Sequence, residues 1–162
     1  MGIGDELEFA DDNGPPLPAD RWKILIVAGH PSVHEATRMA LAHVTIRGRA
    51  LEFRAAFTEG EACRILAQET DVALVLTDMV LDTEDAGLRI AHAVRHDLRN
   101  LHVRIVLCTA GYDRVLQPDV AQRLDISSLR DRAELTHEML YHVAHTAIAE
   151  YHARIMGQGP PP

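Results

Sequence analysis

The segment that most constrains the fold is DVALVLTD at residues 71–78, an uninterrupted apolar run that ends in an acid. A strand covered on both faces, as in the middle of a parallel sheet, shows this continuous rather than alternating pattern. Similar runs lie on either side along the chain, KILIV at residues 23–27 and VRIVLCTA at residues 103–110. Helical patterns separate these runs, so we expect parallel strands joined by helices.

Weaker patterns extend the series to five strands. LEFRAAF at residues 51–57 alternates like a strand near a sheet edge, and RLDISS predicts a short strand at residues 124–127. A weak helical pattern at residues 111–123 is interrupted by Pro118. The expected fold class is α/β, an open five-stranded parallel sheet with helices on both faces.

Capping patterns predict where the helices begin. A hydroxyl or carboxylate side chain followed three residues later by Glu satisfies the free N–H groups of a first turn. Ser32, Thr58 and Asp131 each fit this pattern. The last of these helices is expected to run to about residue 154, and another helix is expected at residues 85–97.

Composition bounds the domain organisation and the partners. The 162 residues are 47% hydrophobic, enough for one domain, expected at residues 21–156. Polar, Pro-rich composition predicts disorder at residues 1–20 and 157–162. A net charge of −8 with scattered basic residues argues against nucleic-acid and membrane surfaces. Without a signal peptide or a membrane-spanning apolar run, we expect a cytoplasmic protein.

Candidate site residues follow from the strand ends, because ligands of open parallel sheets gather at the carboxyl edge. They lie in the turn after the first strand, at the end of the third and fourth strands, and beyond the fifth. They are Ala28, Gly29, His30, Asp78, Thr109, Ala110 and Arg130.

These features resemble the receiver domain of bacterial two-component response regulators over about residues 22–154. The resemblance is carried by KILIV with its turn, by ALVLTDMVLDTEDAGLRI, where Gly-Leu follows the strand-end Asp by nine residues, and by RIVLCTA. VTIRGRALEF and LDISSLRDRAELTHEML are similar to the receiver type found ahead of cyclic-dinucleotide phosphodiesterase modules. The resemblance implies a flavodoxin-like receiver fold.

The resemblance also implies roles for the strand-end residues. Asp78 corresponds to the phosphoacceptor, Thr109 to the switch hydroxyl, and Ala110 to the small residue beside the phosphoryl group. The remaining elements of the receiver site are altered. The acid pair that holds Mg²⁺ corresponds to Ala28 and Gly29, a third acid to His30, the lysine to Arg130, and the switch aromatic to Ser127.

Our first hypothesis is a degenerate receiver that acts through protein contacts. Mg²⁺ requires oxygen ligands anchored by one or two carboxylates, and only Asp78 supplies one here. A bidentate pair between Arg130 and Asp78 would satisfy that carboxylate without metal. We therefore expect no cofactor, or Mg²⁺ only if the pocket functions. No Ser or Cys nucleophile with a base lies at a strand end, so we expect no enzyme activity.

Two alternatives stay open at this point. Asp78 can act as a phosphoacceptor with weakened Mg²⁺ binding, helped by backbone carbonyls, water, Asp82 and Asp85. A histidine-based transition-metal site is the other, with His30 and His34, or His92 and His96, as ligand pairs. Each pair supplies two ligands, whereas zinc usually needs three or four.

The resemblance implies protein partners, a histidine kinase or other signalling proteins. A homodimer through the C-terminal helix is also predicted, with apolar contacts from Leu135, Met139, Leu140 and Val143. We expect either a single-domain adaptor or a part of a longer regulator.

Overall fold

The computed structural model describes residues 21–110 and 116–157. The predicted leader at residues 1–20, part of the segment at residues 111–123, and the predicted tail beyond Gly157 lie outside the described residues. Within the described ranges, no helix is long and apolar enough to cross a membrane.

The described residues form a six-stranded sheet in the order β2-β3-β1-β4-β5-β6. The strands are β1 Arg21–Val27, β2 Thr45–Ile46, β3 Arg49–Ala56, β4 Val72–Asp78, β5 Arg104–Thr109 and β6 Ser128–Asp131. Neighbouring strands are parallel except for β2, which is antiparallel to β3. The predicted α/β class and open parallel sheet are confirmed, with one strand more than the five expected.

The additional strand belongs to a tight hairpin. Arg47 and Gly48 both have positive φ, 53° and 79°. Two such residues in succession make the turn whose twist matches antiparallel strands. The indole Nε1 of Trp22 donates a 2.7 Å hydrogen bond to the carbonyl of Ile46, which fixes β2 to the buried side chains of β1.

Five α-helices of the described chain cover the sheet. They are α1 Pro31–Leu41, α2 Glu59–Gln68, α3 Ala86–His92, α4 Pro118–Leu124 and α5 His137–Ile155, and α3 continues into a π-helical turn at Ala93–Asp97. One apolar cluster joins the sheet to α1 and α5, and a second joins it to α2, α3 and α4. Successive strand side chains point to opposite faces, so Ile24 enters the first cluster and Leu25 the second.

The two early capping predictions have different outcomes. Thr58 is the N-cap of α2, and its hydroxyl accepts a 3.2 Å hydrogen bond from the backbone N–H of Glu61. The Ser32 prediction is wrong, because α1 begins one residue earlier at Pro31 with His30 as N-cap. Proline suits the first helical position, since its fixed φ is already helical and no N–H is needed there.

The segment before α5 also departs from the sequence prediction. Pro118 starts α4 instead of interrupting a helix, and α4 ends at Leu124 with Asp125, whose φ is 53°, as its C-cap. The predicted strand at residues 124–127 is therefore shifted, and β6 starts at Ser128. Asp131 caps a single 3₁₀ turn, Arg132–Glu134, by accepting from the backbone N–H of Ala133 at 2.9 Å. The long helix starts only at His137, where the Thr136 hydroxyl accepts from Met139.

Gly87 allows α3 to start directly against the end of β4. Its backbone N–H donates to the Met79 carbonyl at 2.9 Å. A Cβ atom at this position would lie 2.8 Å from the Asp78 carbonyl oxygen, closer than van der Waals contact permits. The glycine nine residues after the strand-end acid is therefore required by packing at this point.

An arginine cluster ties the amino end of β5 to the ends of α4 and α5. Asp125 accepts hydrogen bonds from Arg104 Nη2 at 2.9 Å and from Arg154 Nη1 at 2.7 Å. Arg95 donates instead to backbone carbonyls, those of Asn100, Leu124 and Asp125. Burial, and then repulsion from Arg104, lower the pKa of Arg95 to about 10. One carboxylate thus balances several cations in this cluster.

The apolar residues that the sequence offered for a dimer contact pack mostly within this chain. Leu140 and Val143 are buried in the apolar cluster that joins the sheet to α1 and α5, and Leu135 and Met139 lie partly buried against it. The solvent face of α5 carries Tyr141, whose ring contacts those of His142 and His145. A homodimer through α5 stays a prediction, and it would have to use this polar face.

Candidate functional site

The predicted site residues lie at the carboxyl edge of the sheet, where β1, β4 and β5 end side by side. Asp78 is the last residue of β4 and is in register with Cys108 of β5. The Met79 N–H donates to the Cys108 carbonyl at 2.8 Å, which continues the ladder past the strand end. The Asp78 side chain is 20% exposed and faces the turn that follows β6.

A guanidinium group is bound to Asp78. Nη2 of Arg132 donates to Oδ1 of Asp78, and the two side chains are 32% and 20% exposed. Arg132 is the first residue of the 3₁₀ turn that Asp131 caps. The carboxylate that the sequence marks as the phosphoacceptor is therefore already paired with a cation of the same chain.

This pairing corrects the sequence prediction, which assigned the cation to Arg130. β6 continues to Asp131, so Arg130 lies inside the strand opposite Cys108 rather than beyond its end. Alternate residues of a strand share a face, and Arg130 and Ser128 line a pocket together with residues of α5. Arg132 is the residue that leaves the strand and reaches Asp78.

The turn after β1 presents no carboxylate. Ala28 is fully buried, and its N–H donates to the Ala56 carbonyl at 3.1 Å. The Ala28 carbonyl lies 2.9 Å from Nε2 of His34, so the Nε2–H tautomer donates to it. His34 is itself buried against Phe57, with the ring centroids 4.4 Å apart. Gly29 and His30 are exposed.

Thr109 and Ala110, to which the resemblance assigns the switch hydroxyl and the small residue, lie at the end of β5. Thr109 is buried, and its hydroxyl donates to the backbone carbonyl of Arg130 at 3.4 Å. Ala110 is exposed at the strand end. Burial raises the pKa of Cys108 to about 11, against the opposing effect of Arg132. Cys108 is therefore a neutral thiol beneath the ion pair and supplies no ligand charge.

The donor set at this edge does not fit Mg²⁺ as the family holds it. Oδ1, one of the two Asp78 oxygens, is bound by Arg132, and the Ala28 carbonyl accepts a hydrogen bond from His34. Asp82 accepts a 3.4 Å hydrogen bond from the Glu59 N–H at the start of α2, and Asp85 occupies the N-cap position of α3. Of the two side chains that could compensate for the missing acid pair, Asp82 is thus bound at a helix start, and Asp85 caps α3 by position without a side-chain hydrogen bond to its first turn.

The histidine pairs do not assemble into a larger ligand set. Within the described residues, no three His, Cys, Asp or Glu side chains are grouped to hold a metal ion. His34 is bound to a carbonyl, whereas His30 is exposed. His92 and His96 are exposed, and their rings form a tilted pair on the helix surface with centroids 4.3 Å apart.

Two contributors to this site were missed by reasoning from sequence. The sequence did point to Arg132 as a candidate, because RDR at residues 130–132 contains two arginines separated by one residue. The choice between them depends on where β6 ends. His34 was considered only as a metal ligand, although a buried histidine one turn into α1 is suited to bind a carbonyl of the preceding turn.

Comparisons with known proteins agree with this fold. The signal receiver domain of an HD domain-containing protein from Pseudomonas fluorescens Pf-5 matches with a TM-score of 0.69 at 18% identity, over 89% of this chain and 98% of that one. The phosphorylated cyanobacterial phytochrome response regulator RcpA matches with a TM-score of 0.60 at 17% identity, over 83% of this chain and 96% of that one. The chain has the fold of a response-regulator receiver domain, as its sequence predicted.

A curated relative adds similarity in sequence. The 3′3′-cGAMP-specific phosphodiesterase 2 of Vibrio cholerae is 31% identical over 130 residues, which are 80% of this chain and 25% of that protein. The chain thus spans about a quarter of the length of the curated relative that it matches. No family model matches the chain.

Proposed function

We propose that this chain is a receiver-type signalling domain that acts through protein contacts, without Mg²⁺-dependent phosphorylation of Asp78. The observation that supports the proposal is the hydrogen-bonded ion pair between the Arg132 guanidinium and Asp78. Ala28 and Gly29 occupy the positions of the acid pair at this site. Partners are a histidine kinase or other signalling proteins, as for receiver domains in general.

The chemistry of phosphoryl transfer supports the proposal. Phosphorylation of a carboxylate requires its oxygen as nucleophile and a divalent cation to neutralise the incoming phosphoryl oxygens. Here the ion pair must first break, which costs about 1 kcal/mol for a partly exposed pair. The larger obstacle is the cation, because Mg²⁺ would be anchored by one carboxylate that already has a counter-ion. Both effects act against the phosphorylated state.

The Vibrio cholerae relative suggests a setting for the domain. Its name assigns it hydrolysis of 3′3′-cGAMP, and this chain aligns with only a quarter of it. We propose that the domain regulates such a cyclic-dinucleotide enzyme, either as a separate partner or as a part of it. Catalysis then takes place outside the described fold. The described site offers no nucleophile and base that would cleave a phosphodiester.

Beryllofluoride with Mg²⁺, a mimic of the phosphoryl group on a carboxylate, tests the proposal by amide NMR. The wild-type chain is expected to show no shifts centred on Asp78. A Gly29→Asp, Arg132→Lys double variant is expected to gain Mg²⁺-dependent shifts there, because the site at Gly29 is open to a side chain and a lysine releases the carboxylate more readily.

An Asp78→Asn variant of each protein is the control. Large wild-type shifts around Asp78 that disappear in the Asp78→Asn variant would show that Asp78 is a working phosphoacceptor with weakened metal binding. That outcome would replace the degenerate receiver with the second hypothesis.

A further inference from the structure

A small polar pocket lies on the opposite side of β6 from the second apolar cluster, between this edge strand and α5. Its volume is about 120 Å³, well above the ~10–15 Å³ that one water needs. The floor is apolar, and the walls carry hydrogen-bonding side chains. These are Ser127, Ser128, Arg130, His142, Thr146 and Glu150.

Arg130 is half-buried and lacks the partners that the two buried arginines of the described chain, Arg95 and Arg104, have. Its Nε is buried, and no described residue accepts a hydrogen bond from it. Arg95 and Arg104 are instead held by backbone carbonyls and by Asp125. Glu150 lines the same pocket but accepts from the Ser127 hydroxyl at 3.4 Å, not from Arg130. A buried guanidinium donor without an acceptor requires an explanation.

We propose that this pocket binds a small carboxylate group, with Arg130 as its principal cation. A planar guanidinium presents parallel N–H donors that match the two oxygens of a carboxylate. Hydroxyl groups of Ser128 and Thr146 are suited to the remaining lone pairs. A monoanion is favoured over a phosphate dianion because Glu150 adds a negative charge to the wall. The Nε donor of Arg130 has no acceptor among the described residues, so a ligand carboxylate would not have to displace one from it.

The pocket is connected to the carboxyl edge through the backbone of β6. The Arg130 carbonyl accepts the hydrogen bond of the Thr109 hydroxyl, and Arg132, two residues later, holds Asp78. A ligand that moves Arg130 therefore acts on the strand that positions both groups. This adds a ligand input to the domain that is independent of whether Asp78 is phosphorylated.

Amide NMR titration of the full chain with sodium acetate, at constant ionic strength, tests the site. We expect saturable shifts at Ser127, Ser128 and Thr146, and none with acetamide, the neutral counterpart. Arg130→Gln is expected to weaken acetate binding about ten-fold or more, since a charge-assisted hydrogen bond is lost. Arg123→Gln, the same change at an exposed position of α4, is the matched control and is expected to bind as the wild type does.

Further titrations distinguish the possible sources of the carboxylate group. A blocked glutamate dipeptide that binds more tightly than acetate supports an acidic side chain of a protein partner, and the reverse order supports a free small acid. Arg130→Lys keeps the positive charge but loses the parallel N–H donors of the guanidinium, so it is expected to bind acetate with intermediate affinity. This variant replaces Arg130→Gln in the test if Arg130→Gln does not fold. Shifts that never saturate, that saturate in the Arg130 variants at the same acetate concentration as in the wild type, or that arise with inorganic phosphate but not acetate overturn the proposal.

Discussion

The Arg132–Asp78 pair makes a quantitative prediction about stability. Replacing Arg132 by Ala leaves the carboxylate of Asp78 without its cation at a position only 20% exposed. A hydrogen bond to a charged group contributes about 1.5–3 kcal/mol when it is well buried. Arg132 is 32% exposed, so solvent screening reduces the expected contribution to about 1 kcal/mol.

A double-mutant cycle isolates this pairwise contribution from the other effects of each substitution. Urea unfolding of the wild type, Arg132→Ala, Asp78→Ala and the double variant should give a coupling free energy of about 1 kcal/mol. High salt should reduce the coupling, because the pair is partly exposed. The matched control is the same cycle with Arg130→Ala, for which we expect a coupling near zero. Coupling of Asp78 to Arg130 instead of Arg132 would refute the structural assignment.

Three further predictions, one of them with a control substitution, concern the packing and the charges of the fold. Gly87→Ala should destabilise the fold by about 1–3 kcal/mol in urea unfolding because its Cβ overlaps the backbone at the end of β4. Gly60→Ala, in open space on α2, should be neutral or stabilising, and equal losses for both would contradict this reasoning. Trp22→Phe should cost about 1–3 kcal/mol by leaving the Ile46 carbonyl without its donor, with faster amide exchange in β2. Burial tends to raise the pKa of Asp125, but the hydrogen bond from Arg104 and the charges of the neighbouring arginines lower it overall. The ionised Asp125 therefore stabilises the fold above about pH 4, and this stabilisation is lost as the pH falls. Thermal melts of Asp125→Asn should therefore lose less stability on acidification than wild type does.

The strands of the central sheet were predictable because burial on both faces leaves a continuous apolar run. β1, β4 and β5 all have this pattern, and each lies where the sequence placed it to within a few residues. β2 was missed, since two residues are too few to show a period. That hairpin is defined in the structure by the positive φ of Arg47 and Gly48 and by the antiparallel pairing of β2 with β3.

The site itself was predictable in part. The carboxyl edge and Asp78 followed from the strand pattern and from the resemblance to receiver domains. The identity of the cation did not follow, because β6 ends at Asp131, four residues after the predicted end of this strand. Arg130 therefore lies within the strand, and Arg132 lies at the carboxyl edge. Short strands with half-buried residues, such as β6, carry little periodic signal, so their limits depend on tertiary contacts.

Ala28 has a consequence for how this site can change by mutation. Its side chain is fully enclosed, and its carbonyl is bound by a histidine from the next helix. An aspartate placed there would bury a charge, and an unpaired buried charge costs several kcal/mol. Gly29, one residue on, has open space around it and could accept an acid readily. The two positions of the turn therefore differ in what they tolerate: an acid at position 28 requires its surroundings to be repacked, whereas an acid at position 29 fits the fold as it stands.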